Sequence, residues 1–263
     1  MQKLPRIADK SVLAAVQENI KEVSVLKARI KFRKYGIMRF IGHLDVMRFF
    51  QKAMRRANIP IAFTGGYSPH MIMSFAQPLG VGLTSDGEYL DIELTESISS
   101  EDAVRQLNEV SVEGIEILSF VQISDEKKAS GMTIVAAARY EITCLESKKS
   151  AEVTKNIPFD WNEKITDFLK QSEIMVLKKT KKNEREINIR PLIYEMNVSE
   201  EHIQMLLAAG SEENLKTDLV MQAFLQHAGA NSEETPLHYH RVDVYSAAED
   251  GFVPLDSLGT IIY

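Results

Sequence analysis

The sequence predicts an α+β protein made of two tandem ferredoxin-like units, each β-α-β-β-α-β with an antiparallel sheet. Three observations predict it. The 263 residues, 44% hydrophobic and 26% charged, suit two globular units of about 100–130 residues, each large enough for its own core. Over residues 25–124 the hydrophobic period switches between two and 3.6 in the order of that motif. After the polar linker DEKKASG at 125–131, the order recurs over 132–263 with one extra strand.

Residues 1–24 read as a separate N-terminal helical extension. Val12, Leu13, Val16, Ile20 and Val23 fall at helical spacing, behind Asp9 or Ser11 as an N-cap. The first unit opens on a strand in which Ala28, Ile30 and Phe32 alternate with Lys27, Arg29, Lys31 and Arg33. A helix follows from His43 to Ala57, with Leu44, Met47, Phe50 and Met54 along one side. Asn58-Ile59-Pro60 ends it. A second strand region is interrupted by the turn Gly65-Gly66-Tyr67-Ser68-Pro69. GEYLDIELTES is a third strand, with Leu90, Ile92 and Leu94 inward. Ser99 or Ser100 caps a helix through about Val110, and IEILSFVQI is the fourth strand.

In the second unit the expected elements are a strand at 133–145 and a helical region around 148–171 broken by Pro158. Strand IMVLKK, a turn at Thr180–Glu184 and strand INIRPLI follow. HIQMLLAA is a strand, Leu215–His227 a helix and Tyr239–Tyr245 the last strand.

The net charge is −6, which excludes a uniformly basic binder but not a basic face. From Val25 to Ala76 there are ten basic residues and one acidic one, Asp45. On strand 27–33 the favoured reading is cross-strand ion pairing with Asp91 and Glu93, because a ferredoxin-like sheet sets its first strand beside its third. On the helix, Arg48, Lys52, Arg55 and Arg56 read as a polyanion-binding stripe. So do Lys178, Lys179, Lys181, Lys182 and Arg185, placed on a projecting hairpin. The sheet lacks the paired stacking aromatics of an RNA-recognition sheet.

Cys144 is the only cysteine, so the chain alone forms no disulfide, CxxC zinc site or multi-cysteine iron–sulfur cluster; its apolar run, Tyr140–Leu145, reads as core. No apolar signal core opens the chain, and no stretch approaches the roughly 18 apolar residues of a membrane span. A cytoplasmic location is the expectation. Walker, serine-elbow and HExxH motifs are absent. His43 and His70 are the candidates for an acid–base pair, with structural capping or binding as the competing reading. The GxG at Gly80–Gly82 precedes a strand rather than a helix, so it is no nucleotide fingerprint. His238-x-His240 sets two imidazoles on one face of a strand without an obvious carboxylate partner, and no metal site is expected.

The run KFRKYGIMRFIGHLDVMRFFQKAMRRANIPIAFTGGYSPHMIMSFAQPLGVGLTSDGEYLDIEL resembles the bacterial radical-SAM-associated domain family of unknown function. The motifs are HLD at His43–Asp45, the pair Arg55–Arg56, GYSPH at Gly66–His70, SFA at Ser74–Ala76, PLGVG at Pro78–Gly82 and EYLDIEL at Glu88–Leu94. INIRPLI at Ile187–Ile193 and HRVDVY at His240–Tyr245 also fit. The likeness covers about residues 26–246. The chain departs from the pattern at Met71-Ile72-Met73, where relatives often carry a basic residue, at Asn188, where an acidic one is common, and in having the helix at 1–24. A likeness to CRISPR repeat-processing endoribonucleases is architectural only, because Gly251 and Gly259 are isolated.

In the resembled family the module is fused behind a cobalamin-binding radical SAM enzyme or encoded beside one. The resemblance therefore implies a non-catalytic accessory protein that works with such a partner. The partner would carry the iron–sulfur cluster, S-adenosylmethionine and cobalamin. The basic segments suggest RNA as the bound substrate. Two other readings stay open: a metal-independent endoribonuclease using His43 or His70, and a binder of a small anionic ligand at the glycine turns. The motif residues His43, Asp45, Gly66, Tyr67, Pro69, His70, Met71, Met73, Gly80, Gly82 and Arg190 are the expected motif and partner surface. Two surfaces could form the contact: the apolar stripe Val12, Leu13, Val16, Ile20 and Val23, and the segment Tyr67–Gly82, where Met71, Ile72 and Met73 are unusually apolar for a turn. The second is favoured because the family motifs cluster there and the N-terminal helix is atypical of the family.

Overall fold

Alternation makes the first strand. Ala28, Ile30 and Phe32 are buried on one face of β1 (Leu26–Lys34). β1 lies between β3 (Thr84–Leu94) and β4 (Ile115–Ile123), antiparallel to both, and β2 (Met73–Phe75) pairs with the far edge of β3. The spatial order is β4-β1-β3-β2. The computed structural model describes residues 26–147, 150–158, 160–179, 184–199, 201–231 and 234–263. The N-terminal extension, Lys181 and Lys182 lie outside the described residues.

Helix α1 (His43–Arg56) buries Val46, Phe50, Ala53 and Met54 against this sheet; Phe50 meets Phe32 edge-on at 4.7 Å between ring centroids. It ends where Asn58 takes a left-handed φ of 51° and the Ile59 N–H reaches back to the Met54 carbonyl at 3.0 Å. Helix α2 (Ser100–Val110) is capped by Ser99, whose hydroxyl accepts from the Asp102 N–H at 3.1 Å. Its Ala103 and Leu107 join the same core.

The second half contributes β5 (Val135–Ser147), β6 (Ser150–Lys155), α3 (Trp161–Lys170), β7 (Met175–Lys179), β8 (Glu184–Asn188), β9 (Ile193–Ser199), β10 (His202–Ala208), α4 (Thr217–His227), β11 (Leu237–Ala248) and β12 (Gly251–Pro254). Its strands run β11-β5-β10-β9, all antiparallel neighbours. Trp161 and Phe168 of α3 pack edge-on against Phe224 of α4 in a second core.

Four expectations need correction. The halves do not have separate main sheets: β11 pairs in parallel with β3 at His240–Thr84 and Arg241–Ser85, making one ten-stranded, mostly antiparallel sheet. Gly87 permits this approach, since a Cβ there would stand 2.5 Å from the Asp243 Cα. The region from 148 is not helical to its start. Residues 150–155 pair with β5, and the helix opens only at Trp161. IMVLKK does not join the main sheet: β7 pairs with β8 in a two-stranded sheet of their own. Finally, INIRPLI is two pieces. β8 stops at Asn188, a 3-10 turn holds Arg190–Leu192, and β9 begins at Ile193; Pro191 supplies no N–H to continue a ladder.

No helix among the described residues is long and apolar enough to cross a membrane.

Candidate functional site

Every cation of β1 that points away from the first core meets a carboxylate. Arg29, 1% exposed, forms a bidentate pair with Asp91 at 2.7 and 2.9 Å. It also donates to the carbonyls of Leu255 and Ala129, while the Gly131 N–H donates to Asp91 at 2.7 Å. Lys27 lies 3.7 Å from Glu93. Lys31 reaches Asp243 at 2.7 Å and Asp256 at 3.6 Å, and Arg33 spans Asp86 and Glu116. Lys34, on the other face, is buried and donates to the Ile41 carbonyl at 2.9 Å; burial lowers its pKa. The expected pairing with Asp91 and Glu93 is present, and the paired strand offers little charge to a ligand.

The second half supplies much of that pairing. Asp243 also accepts from the Tyr89 hydroxyl at 2.7 Å, and burial beside Asp243 pushes the Tyr89 phenol well above its ordinary pKa. Arg241 pairs with Glu88 in the buried seam and donates to the Gln77 carbonyl at 2.6 Å. These groups knit the two halves together.

Helix α1 behaves differently. Arg48, Lys52, Arg55 and Arg56 are all exposed, and Arg48 alone of them has an ion-pair partner among the described residues, Asp45 at 3.0 Å. At 100° per residue, Leu44, Arg48 and Arg55 align on the side opposite the buried stripe. Leu44 carries that line to an apolar patch. The 3-10 turn Gly36–Phe40 presents Ile37 and Phe40, the 78–83 loop presents Val81, and these three with Leu44 are 60–77% exposed. Gly82, at φ 92°, binds the loop to the turn by donating its N–H to the Arg39 carbonyl at 2.7 Å. PLGVG is thereby held to the turn that leads into HLD, and Pro78 lines a recess with His43. Arg39 lies over the Phe40 ring, 4.7 Å from its centroid.

Beside this turn stands the His238-x-His240 pair, with two partners that sequence reasoning did not find, Thr84 and Asp86. The Thr84 hydroxyl is 2.9 Å from His238 Nε2 and 2.9 Å from His240 Nδ1. His240 Nε2 is 3.6 Å from Asp86, the carboxylate that a reading of β11 alone could not supply. Arg33 holds the Asp86 carboxyl below its ordinary value. His238 is pushed below its ordinary value by burial, then by Arg39 and His240.

The remaining motif residues are dispersed. His43 opens α1 and sits edge-on to Phe75 at 4.8 Å, at a recess of about 340 Å³ shared with Met47, Met73 and Met132. His70 lies in the exposed turn, its Nδ1 3.0 Å from the Thr64 hydroxyl. The two histidines thus have separate surroundings. Gly66, Tyr67 and Pro69 are exposed at that turn, Gly66 at φ 96°; Gly80 is exposed in the 78–83 loop. Met71 is a correction: at 4% exposure, bridged to Phe63, it belongs to the first core and is not a contact surface. Met73 is half-buried on β2. Arg190 donates to the carbonyls of Leu169 and Ile193, tying α3 to β9. Lys178 and Lys179 pair with Arg185 and Glu184 across the β7–β8 ladder, and Arg185 is exposed. No group of three or more His, Cys, Asp or Glu side chains among the described residues could hold a metal ion.

A family model described as "Uncharacterized protein conserved in bacteria (DUF2344)" matches residues 27–217. No curated protein matches the chain. The matched stretch contains β1, α1, the 78–83 loop and Thr84; His238 and His240 fall outside it.

Proposed function

The chain belongs to the DUF2344 family, uncharacterized and conserved in bacteria, and from that premise we propose a non-catalytic accessory protein that binds RNA and presents it to a separate cobalamin-dependent radical SAM enzyme. The observation that carries the RNA part is the outer face of α1. Four exposed cations line that face, and three of them have no ion-pair partner among the described residues, so charge is available to a phosphate backbone. The partner part rests on the motif resemblance. It gains support from the exposed apolar patch where the HLD and PLGVG segments meet, a surface of the kind protein contacts cover. The site of action would be the cytoplasm. The two strand orders, β4-β1-β3-β2 and β11-β5-β10-β9, support reading the halves as tandem ferredoxin-like units.

The test has two arms. The chain is mixed with the cobalamin-binding radical SAM protein of the same cell and examined for co-elution, with Phe40→Ser and Val81→Ser as variants of the patch. Binding to a structured RNA hairpin is measured across a salt series for the wild type and for Arg48→Ser, Lys52→Ser, Arg55→Ser and Arg56→Ser combined. Co-elution weakened by the patch variants, and an RNA affinity and salt slope both reduced by the helix variant, are the expected results. Separate elution with RNA present overturns the partner; RNA binding unchanged in the helix variant overturns α1 as the RNA surface.

A further inference from the structure

We propose that His238, His240 and Thr84, beside Arg39, form a binding site for one phosphate group of the nucleic-acid ligand. This rests on the RNA reading above and adds to it a specific anchor outside α1.

The argument begins with hydrogen-bond capacity. A threonine hydroxyl has one proton to donate and two lone pairs to accept with. Thr84 faces two imidazole nitrogens at 2.9 Å each. With one imidazole donating and one accepting, the hydroxyl links two neutral rings. With both rings protonated, it accepts from both. Thr84 is fully paired in the first state; in the second its own proton has no acceptor among these groups and is left to donate to an anion.

Charge is one-sided at His238 alone, because Arg33 and Lys31 are matched by Asp86, Glu116, Asp243 and Asp256. The facing groups are Arg39 from the 36–40 turn, Arg33 and Lys31 from β1, Asp86 from β3 and Glu141 from β5. Asp86 already forms a bidentate contact with Arg33 at 2.9 and 3.1 Å, so its 3.6 Å approach to His240 is secondary. Lys31 is engaged by Asp243 and Asp256. Glu141 lies opposite His240 in the ladder and is 3.4 Å from His202. His238 has Thr143 opposite it and makes no ion pair among the described residues; burial, then Arg39 and His240, act on it. Burial first, and then the guanidinium, disfavour a proton on this half-buried imidazole, and an anion placed beside it would relieve both. Two ring nitrogens, a hydroxyl and a guanidinium are also the donors that phosphate oxygens accept from. His240 is 23% exposed and stands next to exposed Asp86 and Arg33 side chains, so a phosphate on a strand can approach from solvent.

The full chain is titrated by NMR on its histidine C2 protons, with and without inorganic phosphate. Binding of a 5′-phosphorylated RNA oligonucleotide is measured for the wild type, Thr84→Val, His238→Gln and the quadruple α1 variant. Phosphate is expected to raise the His238 pKa by about one unit, and Thr84→Val to remove that rise. His238→Gln, which keeps a hydrogen-bond partner for Thr84, is expected to weaken RNA binding several-fold; it serves as the second variant should valine disturb β3. Imidazoles that phosphate leaves unmoved overturn the site. RNA that binds the wild type and His238→Gln equally overturns it while leaving RNA binding through α1 intact. Imidazoles that respond to phosphate in a protein that binds no RNA establish the site and overturn the RNA reading instead.

Discussion

β1 and α1 are consecutive in the chain and comparably rich in cations, yet their charges have opposite fates. Lys27, Arg29, Lys31 and Arg33 of β1 are held by carboxylates on β3, β4, β11 and the Asp256 turn. Lys52, Arg55 and Arg56 of α1 face solvent. A strand is flanked on both sides at about 5 Å, so each side chain meets neighbours that can neutralise it. The outer face of a surface helix has no such neighbour. Basic residues of one segment thus serve as internal mortar in one element and as available charge in the next.

The sharpest way to break this comparison is Arg29→Ala. It strands Asp91 in the sheet and should cost about 3–5 kcal/mol of unfolding free energy in urea. Arg29→Met combined with Asp91→Leu should recover most of that loss, because the uncompensated charge goes too. A single variant as stable as wild type would mean the pair is idle.

Next comes the seam. Gly87→Ala forces a Cβ to within 2.5 Å of the Asp243 Cα and should destabilise by about 1–3 kcal/mol. The loss would be read from the denaturation midpoint, with protease cleavage between the halves as a second measure.

Acid should separate the two elements as well. Asp86 has a folded pKa below its ordinary value of 3.8 because of Arg33. Its contribution is therefore present above that ordinary value and is lost as pH falls through the lower folded value. Thermal midpoints from pH 6 downwards should show this loss in the wild type, and a smaller one in Asp86→Asn. His238 has the same sign of slope at higher pH. Its folded pKa lies below 6.5, so stability declines as pH drops below 6.5 and levels off under the folded value. His238→Gln should flatten that decline.

The smallest effects belong to α1. Lys52→Ser, Arg55→Ser and Arg56→Ser should each leave stability within about 0.5 kcal/mol. Arg48→Ala, which removes the pair with Asp45, should cost about 0.2–0.5 kcal/mol. A larger loss would show that these cations are structural after all.

The first half was legible because its signals are local. The period-two alternation at 28–32, the stripe through Phe50 and Met54 and the Ser99 cap each describe neighbours in sequence, and β1 beside β3 follows from the order of elements. Even Lys27–Glu93 and Arg29–Asp91 could be read that way. What escaped was set by distance along the chain. Asp243 sits in HRVDVY with nothing nearby to say that Lys31 and Tyr89 wait for it. His240 lacked a carboxylate only as long as β11 was considered alone, since Asp86 reaches it, and Thr84 both histidines, through the parallel seam. The β7–β8 hairpin is present as the strands IMVLKK and INIRPLI predict, but it stands outside the main sheet, because composition does not say which sheet a strand joins. Met71 looked like surface because it follows a glycine turn, but its bridge to Phe63 turns it inward.

The Lys31–Asp243 bond joins residues 212 positions apart, which gives it a meaning in time. At ribosomal rates of about 5–20 residues per second, Lys31 is made roughly 10–40 s before its partner exists. During that interval β4-β1-β3-β2 can assemble, but Lys31 and Tyr89 lack Asp243, and Arg29 lacks the Leu255 carbonyl. The nascent first half is a sheet with β3 open toward the missing β11 and with charges not yet matched. Anything that recognises such an edge, a chaperone or a neighbouring nascent chain, has those seconds in which to act, and synthesis of β11 closes them.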